Sequence, residues 1–513
     1  MKTIELGPRA RLTVADVTVT ARGDARLLLG EEGRLATQRA RDVMMECVGR
    51  GELVYGVTTG FGPLATTHLS PELADQLQRN LLYHLATGVG PSLSVEQTRA
   101  MMVARASSLS RGYSAVRPEV IELLCACLER GVTPVVPSMG TVGASGDLTP
   151  LSHVALALLG EGWVHGAGGG EVWSREALEA AGLIPLELGA KEGLALVNGT
   201  ATMTGVSALN GDSARRALDW ALRLSAAFAE VARAKVESWD EVFDAARPHP
   251  GQRAARRRLG ALLEGATRVR RRGVTWTRPE GGVALDQELV QERYSLRCVP
   301  QLLGAVHDAL GWHDEVVERE LESATDNPLV DVEGDRVLHG GNFFGQHVAF
   351  AADALNNAVV QIAVLAERQI AAVTDARTSG LPPFLTGGTP GLHSGLMGAQ
   401  VTSSALIAEL RARSVPASIQ SVPTNGGNQD VVPMGTTAAT RAAWSLERVW
   451  EVLAIGVIAA AQAMELEGVE GFGPHARGLH AFARERSAPL DVDRPLSREI
   501  MAVARALQSS RTT

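Results

Sequence analysis

From His347 to Ala376, Ala, Leu, Val and Ile recur at threes and fours with no Pro or Gly between them. That spacing predicts a helix about 45 Å long at the standard rise. Similar segments run from Thr440 to Glu467 and from Ser207 to Glu237. Their middles carry little polar character, so the pattern predicts helices buried on several sides in a bundle, within one subunit or across subunits, rather than helices with one wet face. A shorter helix is expected from Ser70, with Pro71 in its first turn, where Leu73, Leu77, Leu81 and Leu85 form an i, i+4 stripe ending near Gly88. Gly387-Gly388-Thr389-Pro390-Gly391 and Thr424-Asn425-Gly426-Gly427-Asn428 interrupt the helical half as loops. The fold class is all-α. Residues 1–200 form a loop-rich N-terminal part, residues 201–513 the long-helix bundle and C-terminal helices, and the two are expected to behave as one cooperative unit.

Composition sharpens this picture in three places. Aromatic residues make up only 4% of the chain, while Ala, Leu, Val, Glu and Arg are abundant, which favours helix over pleated sheet. The net charge of −8 argues against a polyanion binder. The local exception is the arginine cluster between Arg253 and Arg272, which lacks interleaved aromatics and reads as a solvated helix face or subunit contact. No apolar run follows the basic residue at the start, and the apolar stretch Val452 to Ala463 is too short to span a bilayer. A cytoplasmic protein with no membrane or nucleic-acid partner is expected. Cys47, Cys125, Cys127 and Cys298 show no C-x-x-C pairing and no His at metal-ligand spacing, so they read as reduced and structural.

The candidate chemistry lies in Gly140-Thr141-Val142-Gly143-Ala144-Ser145-Gly146-Asp147-Leu148-Thr149-Pro150, a glycine-dense loop running into a helix with Asp147 as its N-cap. It is not a serine-hydrolase elbow, because Asp147 stands where G-x-S-x-G needs its last glycine. Nor is it a phosphate cradle, which would need a Lys that is missing. One reading uses every residue: the Gly146 nitrogen attacks the Ala144 carbonyl, and loss of water leaves a dehydroalanine from Ser145 in a five-membered ring. Glycine is needed because a side chain would obstruct that closure.

Ala-Ser-Gly alone is a common tripeptide. In the context of Tyr55-Gly56-Val57-Thr58-Thr59-Gly60-Phe61-Gly62, Leu196-Val197-Asn198-Gly199-Thr200, Tyr294-Ser295-Leu296-Arg297, Thr325-Asp326-Asn327-Pro328 and His339-Gly340-Gly341-Asn342-Phe343, the chain resembles the aromatic amino acid ammonia-lyase family over nearly its full length. The resemblance implies a fold of the histidine/phenylalanine ammonia-lyase (fumarase/aspartase-like) type, a homotetramer with each active site assembled from three subunits, and a methylidene-imidazolone (MIO) group formed from Ala144, Ser145 and Gly146. It implies no metal and no dissociable cofactor. The group makes the substrate amine a better leaving group while a base removes a β-hydrogen. Tyr55 is the candidate base. A phenol must shed its proton to play that part, so an alkaline optimum follows; without the resemblance Tyr55 reads as a loop-capping tyrosine. Arg297 offers two parallel donors to the substrate carboxylate, although Tyr-Ser-Leu-Arg seen alone is an ordinary helix surface. Tyr294 joins the catalytic set. Asn198 and Gln291 match positions around the electrophile and amine, and Gly62, Asn327, Phe343 and Asn428 match substrate-binding positions, with Asn342 beside them.

Specificity is read at Tyr83-His84-Leu85. Tyrosine-specific relatives carry His-Leu here, phenylalanine-specific ones Phe-Leu and histidine-specific ones Ser-His, so His84 and Leu85 look tyrosine-type. An imidazole can hydrogen-bond a substrate phenol, and a site built for that bond rejects analogues without it. On physics alone, His84 is equally a helix-end residue meeting free carbonyls. Gln429 stands where histidine-specific relatives place a glutamate. The expected reaction is elimination of ammonia from L-tyrosine to trans-p-coumarate. Phenylalanine or histidine ammonia-lyase and tyrosine 2,3-aminomutase are the alternatives; aminomutases tend to carry Ser-His at the helix-end pair. A catalytically dead scaffold would have lost Ser145, Tyr55 or Arg297, and all three are present.

Overall fold

The computed structural model describes residues 1–270, 281–282 and 290–510. Helices dominate, and the strands among the described residues are five residues or shorter, paired in four two-stranded sheets. The all-α expectation holds. The chain divides into two compact units.

The first unit comprises Met1–Asp212, Trp312–Ala354 and Pro416–Ala443. Its centre is the helix Val95–Leu109, opened by a capping box in which Ser94 and Gln97 satisfy each other's backbone N–H groups. This helix buries residues on all sides, including Arg99 and Arg105, and for that reason shows no apolar stripe in sequence. Around it pack Pro118–Arg130, Leu148–Leu158 and the short helix Glu192–Val197, sharing one apolar core.

The specificity helix arrives in two pieces. Pro71–Leu73 is a 3-10 turn, and the α-helix proper is Ala74–Leu85. Leu81 is buried, whereas Leu73 at the tighter turn points to solvent, so the four-leucine stripe does not hold as one face.

The second unit comprises Ser213–Gly311, Leu355–Val415 and Trp444–Thr513. Its core is a single cluster built from the long helices, in which Trp450 is fully buried and donates its indole N–H to the Ser213 hydroxyl at 3.0 Å. The three long helices span Ala201–Val231, Gln346–Thr374 and Gly435–Glu467. The second matches the sequence expectation to within two residues at each end. The first starts at Ala201 rather than Ser207 and ends at Val231 rather than Glu237. Arg233 adopts a left-handed φ of 49°, and Ala234 N–H turns back to the Ala229 carbonyl at 2.9 Å, a helix stop written without glycine. Gln346–Thr374 and Gly435–Glu467 are long and apolar enough to cross a membrane, and their apolar stretches are mostly buried inside the protein.

The arginine cluster is partly neutralised. Arg256 pairs with Asp244, Arg258 donates to Asp219 at 2.8 Å, and Arg268 pairs with Glu467 and stacks over Phe472. Arg271 and Arg272 lie outside the described residues. The four cysteines are free thiols, and burial pushes those of Cys125 and Cys127 up to about 12, which leaves them unreactive. Among the described residues no group of three or more His, Cys, Asp or Glu is placed to hold a metal ion.

Candidate active site

The loop before Leu148 is held by its own backbone. Gly143 N–H donates to the Thr141 hydroxyl at 3.0 Å, Gly146 N–H to the Gly143 carbonyl at 3.2 Å, and Asp147 N–H to the Gly199 carbonyl at 2.7 Å. Gly146 has φ +74°, and a Cβ there would lie 2.1 Å from the Gly199 carbonyl oxygen, so no other residue fits. Ser145 is pinned from two directions. The Asn198 amide donates to its carbonyl at 3.2 Å, and the Gln429 amide donates to its hydroxyl at 3.2 Å. Gln429 is in turn oriented by the Thr424 hydroxyl at 2.8 Å.

Asp147 precedes the helix Leu148–Leu158, but its carboxylate does not cap that helix. With ψ at 52° the residue turns away and accepts the Met203 N–H at 2.9 Å, in the first turn of Ala201–Val231, together with the Thr436 hydroxyl. The side chain thus caps a different helix from its own. Burial pushes its carboxyl up to about 6, against the pull of these hydrogen bonds. Burial also raises the neighbouring Glu320 carboxyl, which accepts the Thr200 hydroxyl at 2.6 Å.

In front of the loop opens a cavity of about 1170 Å³ within the first unit. Eleven of the residues singled out in the sequence line it: Tyr55, Gly62, His84, Leu85, Ala144, Ser145, Asn198, Asn327, Phe343, Asn428 and Gln429. The Tyr55 oxygen accepts the Gly62 N–H at 2.8 Å, and its ring meets Phe61 edge-on at 6.0 Å, so the phenol is held while its own hydrogen is left for the cavity. Tyr55 N–H donates to His339 Nε2 at 3.1 Å, and burial lowers the His339 pKa, in keeping with a neutral acceptor. His84 Nδ1 donates to the Asn80 carbonyl at 3.1 Å. In the neutral ring Nε2 is then an acceptor.

Gly146 is buried and does not line the cavity. Gln291, Tyr294 and Arg297 do not line the cavity. Tyr294 is 70% exposed with the Arg297 guanidinium stacked 4.6 Å over its ring, and Gln291 and Arg297 line a separate cleft with Trp239 and Glu292 in the second unit. Two contributors went unnoticed in the sequence. Asn80 lines the cavity one turn before His84, a position that helical spacing alone points to. Gln78, fully buried, donates to the Gly56 carbonyl at 2.7 Å and accepts the Leu194 N–H at 2.8 Å, tying the Tyr55 loop to the Asn198 helix. Nothing in its sequence position marks it, because a buried glutamine is uncommon.

The residues present fit a methylidene-imidazolone. The close approach at Gly146 admits only glycine, and the Asn198 Oδ1 is buried in the cavity wall with no hydrogen-bond partner.

The sequence profile described as "Aromatic amino acid lyase" matches residues 12–485. The tyrosine ammonia-lyase of Cereibacter sphaeroides is 46% identical over 490 residues, 94% of each chain. The histidine ammonia-lyase of Symbiobacterium thermophilum is 43% identical over 506 residues, covering 98% of this chain and 96% of the relative. Among solved structures, the tyrosine aminomutase from Streptomyces globisporus matches with a TM-score of 0.93 at 38% identity, covering 99% of this chain and 96% of that one. The chain therefore belongs to the aromatic amino acid lyase family, a family of enzymes.

Proposed function

We propose that this enzyme eliminates ammonia from L-tyrosine to give trans-p-coumarate, with Ala144, Ser145 and Gly146 converted to a methylidene-imidazolone. The observation that carries the tyrosine reading is His84, which lines the cavity with Nδ1 committed to the Asn80 carbonyl, so that Nε2 is the acceptor a substrate phenol O–H requires. Gln429 supports it, since a neutral amide on the Ser145 hydroxyl offers no carboxylate to an imidazole substrate.

The methylidene-imidazolone supplies an electrophile that makes the substrate amine a better leaving group. The rest is the work of side chains. Tyr55, anchored through Gly62 N–H, removes the β-hydrogen. Asn198 offers its unpartnered Oδ1 to the amine, and Leu85 and Phe343 wall the ring. Gln291, Tyr294 and Arg297 belong to this reading as groups supplied by another copy of the chain in a homotetramer, Arg297 taking the substrate carboxylate bidentately. Four free thiols suit a cytoplasmic enzyme.

Purified protein incubated separately with tyrosine, phenylalanine and histidine, with products identified by mass and absorbance, tests the reading. p-Coumarate is the expected main product. Cinnamate or urocanate as main product moves the specificity, β-tyrosine makes the enzyme an aminomutase, and no product from any of the three overturns the proposal.

A further inference from the structure

Behind the reaction cavity two cations are withdrawn from water altogether: Lys191 and Arg105 are both 0% exposed. Buried charges are costly, and a fold retains them where they are tied down. Both are tied to the turn Thr325-Asp326-Asn327. Lys191 Nζ donates to Asp326 at 2.7 Å and to the Ser114 carbonyl at 3.0 Å. The other oxygen of Asp326 accepts the Asn327 N–H at 2.7 Å. Arg105 Nη1 donates to the carbonyls of Asn198 at 2.9 Å and Thr325 at 3.2 Å.

Lys191 and Asn198 are the N-cap and C-cap of one helix, Glu192–Val197. The ion pair thus fastens the first end of that helix to the turn Thr325-Asp326-Asn327, and the guanidinium fastens its last end to the same turn. The free ends of this frame are Asn198 and Asn327, both in the cavity wall. Two features set the frame apart from ordinary packing. Lys191 holds a left-handed φ of 68°, uncommon for a residue with a side chain. Arg105 leaves Nε and Nη2 buried without a hydrogen-bond partner, where an arginine kept for stability would use them. Burial lowers its guanidinium to about 10, so it is still charged at neutral pH.

We propose that Lys191, through its ion pair with Asp326, and Arg105 are positioning residues that fix Asn198 and Asn327 relative to each other in the cavity wall and so govern turnover, not only folding. This rests on the function proposed above, in which both asparagines meet the reacting groups.

The test uses three full-length variants: the pair Lys191→Met with Asp326→Asn, which removes both buried charges together and keeps an oxygen for Asn327 N–H; Arg105→Met; and Arg105→Lys. Each is measured for melting temperature, for the loss of two waters by intact mass that reports the electrophile, and for kcat and KM on whichever aromatic amino acid the wild type turns over. Removing a buried ion pair as a unit is often neutral for stability, so the paired variant is expected to fold. The expected result is a kcat lower by roughly 10- to 100-fold, with KM moved less, in the paired variant and in Arg105→Met, and partial recovery in Arg105→Lys. Incomplete water loss in a folded variant supports the proposal equally. Folded variants with full water loss and wild-type kcat/KM overturn it. Failure of all three to fold also overturns it, by making the residues purely structural. If the wild type loses water but turns over no aromatic amino acid, the function reading fails by itself, and water loss in the variants decides the positioning role: complete loss overturns it, incomplete loss supports it. A wild type that loses no water overturns both.

Discussion

A methyl group on Gly146 would lie 2.1 Å from the carbonyl oxygen of Gly199, the same oxygen that accepts the Asp147 N–H at 2.7 Å. The Gly146 end of Ala144-Ser145-Gly146 thus packs directly against the segment that carries Asn198. Gly146→Ala is expected to push the loop away, cost about 1–3 kcal/mol of stability and block electrophile formation. Intact mass and thermal melting check this; a variant that still loses two waters and melts with the wild type contradicts the close packing.

Ser145→Ala removes the hydroxyl that Gln429 holds and leaves the remaining loop contacts in place. Activity is expected to vanish while the melting temperature stays within a few degrees of wild type. Turnover by this variant would refute a self-made electrophile.

Tyr55→Phe keeps the ring against Phe61 and loses only the oxygen that accepts Gly62 N–H. If Tyr55 is the base, kcat falls roughly 10²- to 10⁴-fold with water loss complete. Equal kcat in the two proteins assigns Tyr55 to packing alone.

His84→Phe removes the acceptor expected to meet a substrate phenol. The ratio of kcat/KM for tyrosine over phenylalanine should fall by at least about tenfold, since a site loses discrimination when its hydrogen-bonding partner goes. An unchanged ratio removes His84 from specificity.

The buried Asp147 carboxyl makes a pH prediction. Its pKa is raised from 3.8 to about 6, so the folded protein binds this proton more tightly than the unfolded chain does. Its contribution to stability is therefore whole below pH 3.8 and declines as pH rises through about 6, by roughly 3 kcal/mol in all. Asp147→Asn cannot titrate, so its melting temperature should improve relative to wild type between pH 4 and 7. Parallel melting curves across that range would show that the carboxyl does not titrate as its burial implies.

Much of the molecule was legible along the chain. The apolar spacing of 347–376 locates Gln346–Thr374 because a helix packed on several sides has to be apolar on several sides. The motifs around Tyr55, Asn198, Asn327 and Phe343 point to residues that do line one cavity. Sequence spacing could not say that Asp147, adjacent to one helix, would cap another, nor that the helix from Ala201 would begin early to meet it; a carboxylate goes where N–H groups are exposed in space, not to the nearest in the chain. Nothing along the chain marks Arg105 or Lys191; tertiary packing buries them at 0% exposure and gives them Asn198, Thr325 and Asp326 as partners. Residue types and their periods determined the helices and the kit of reactive groups. Which of those groups share a cavity, and which, like Arg297, do not line it within one chain, was decided by long-range contacts that no local pattern encodes.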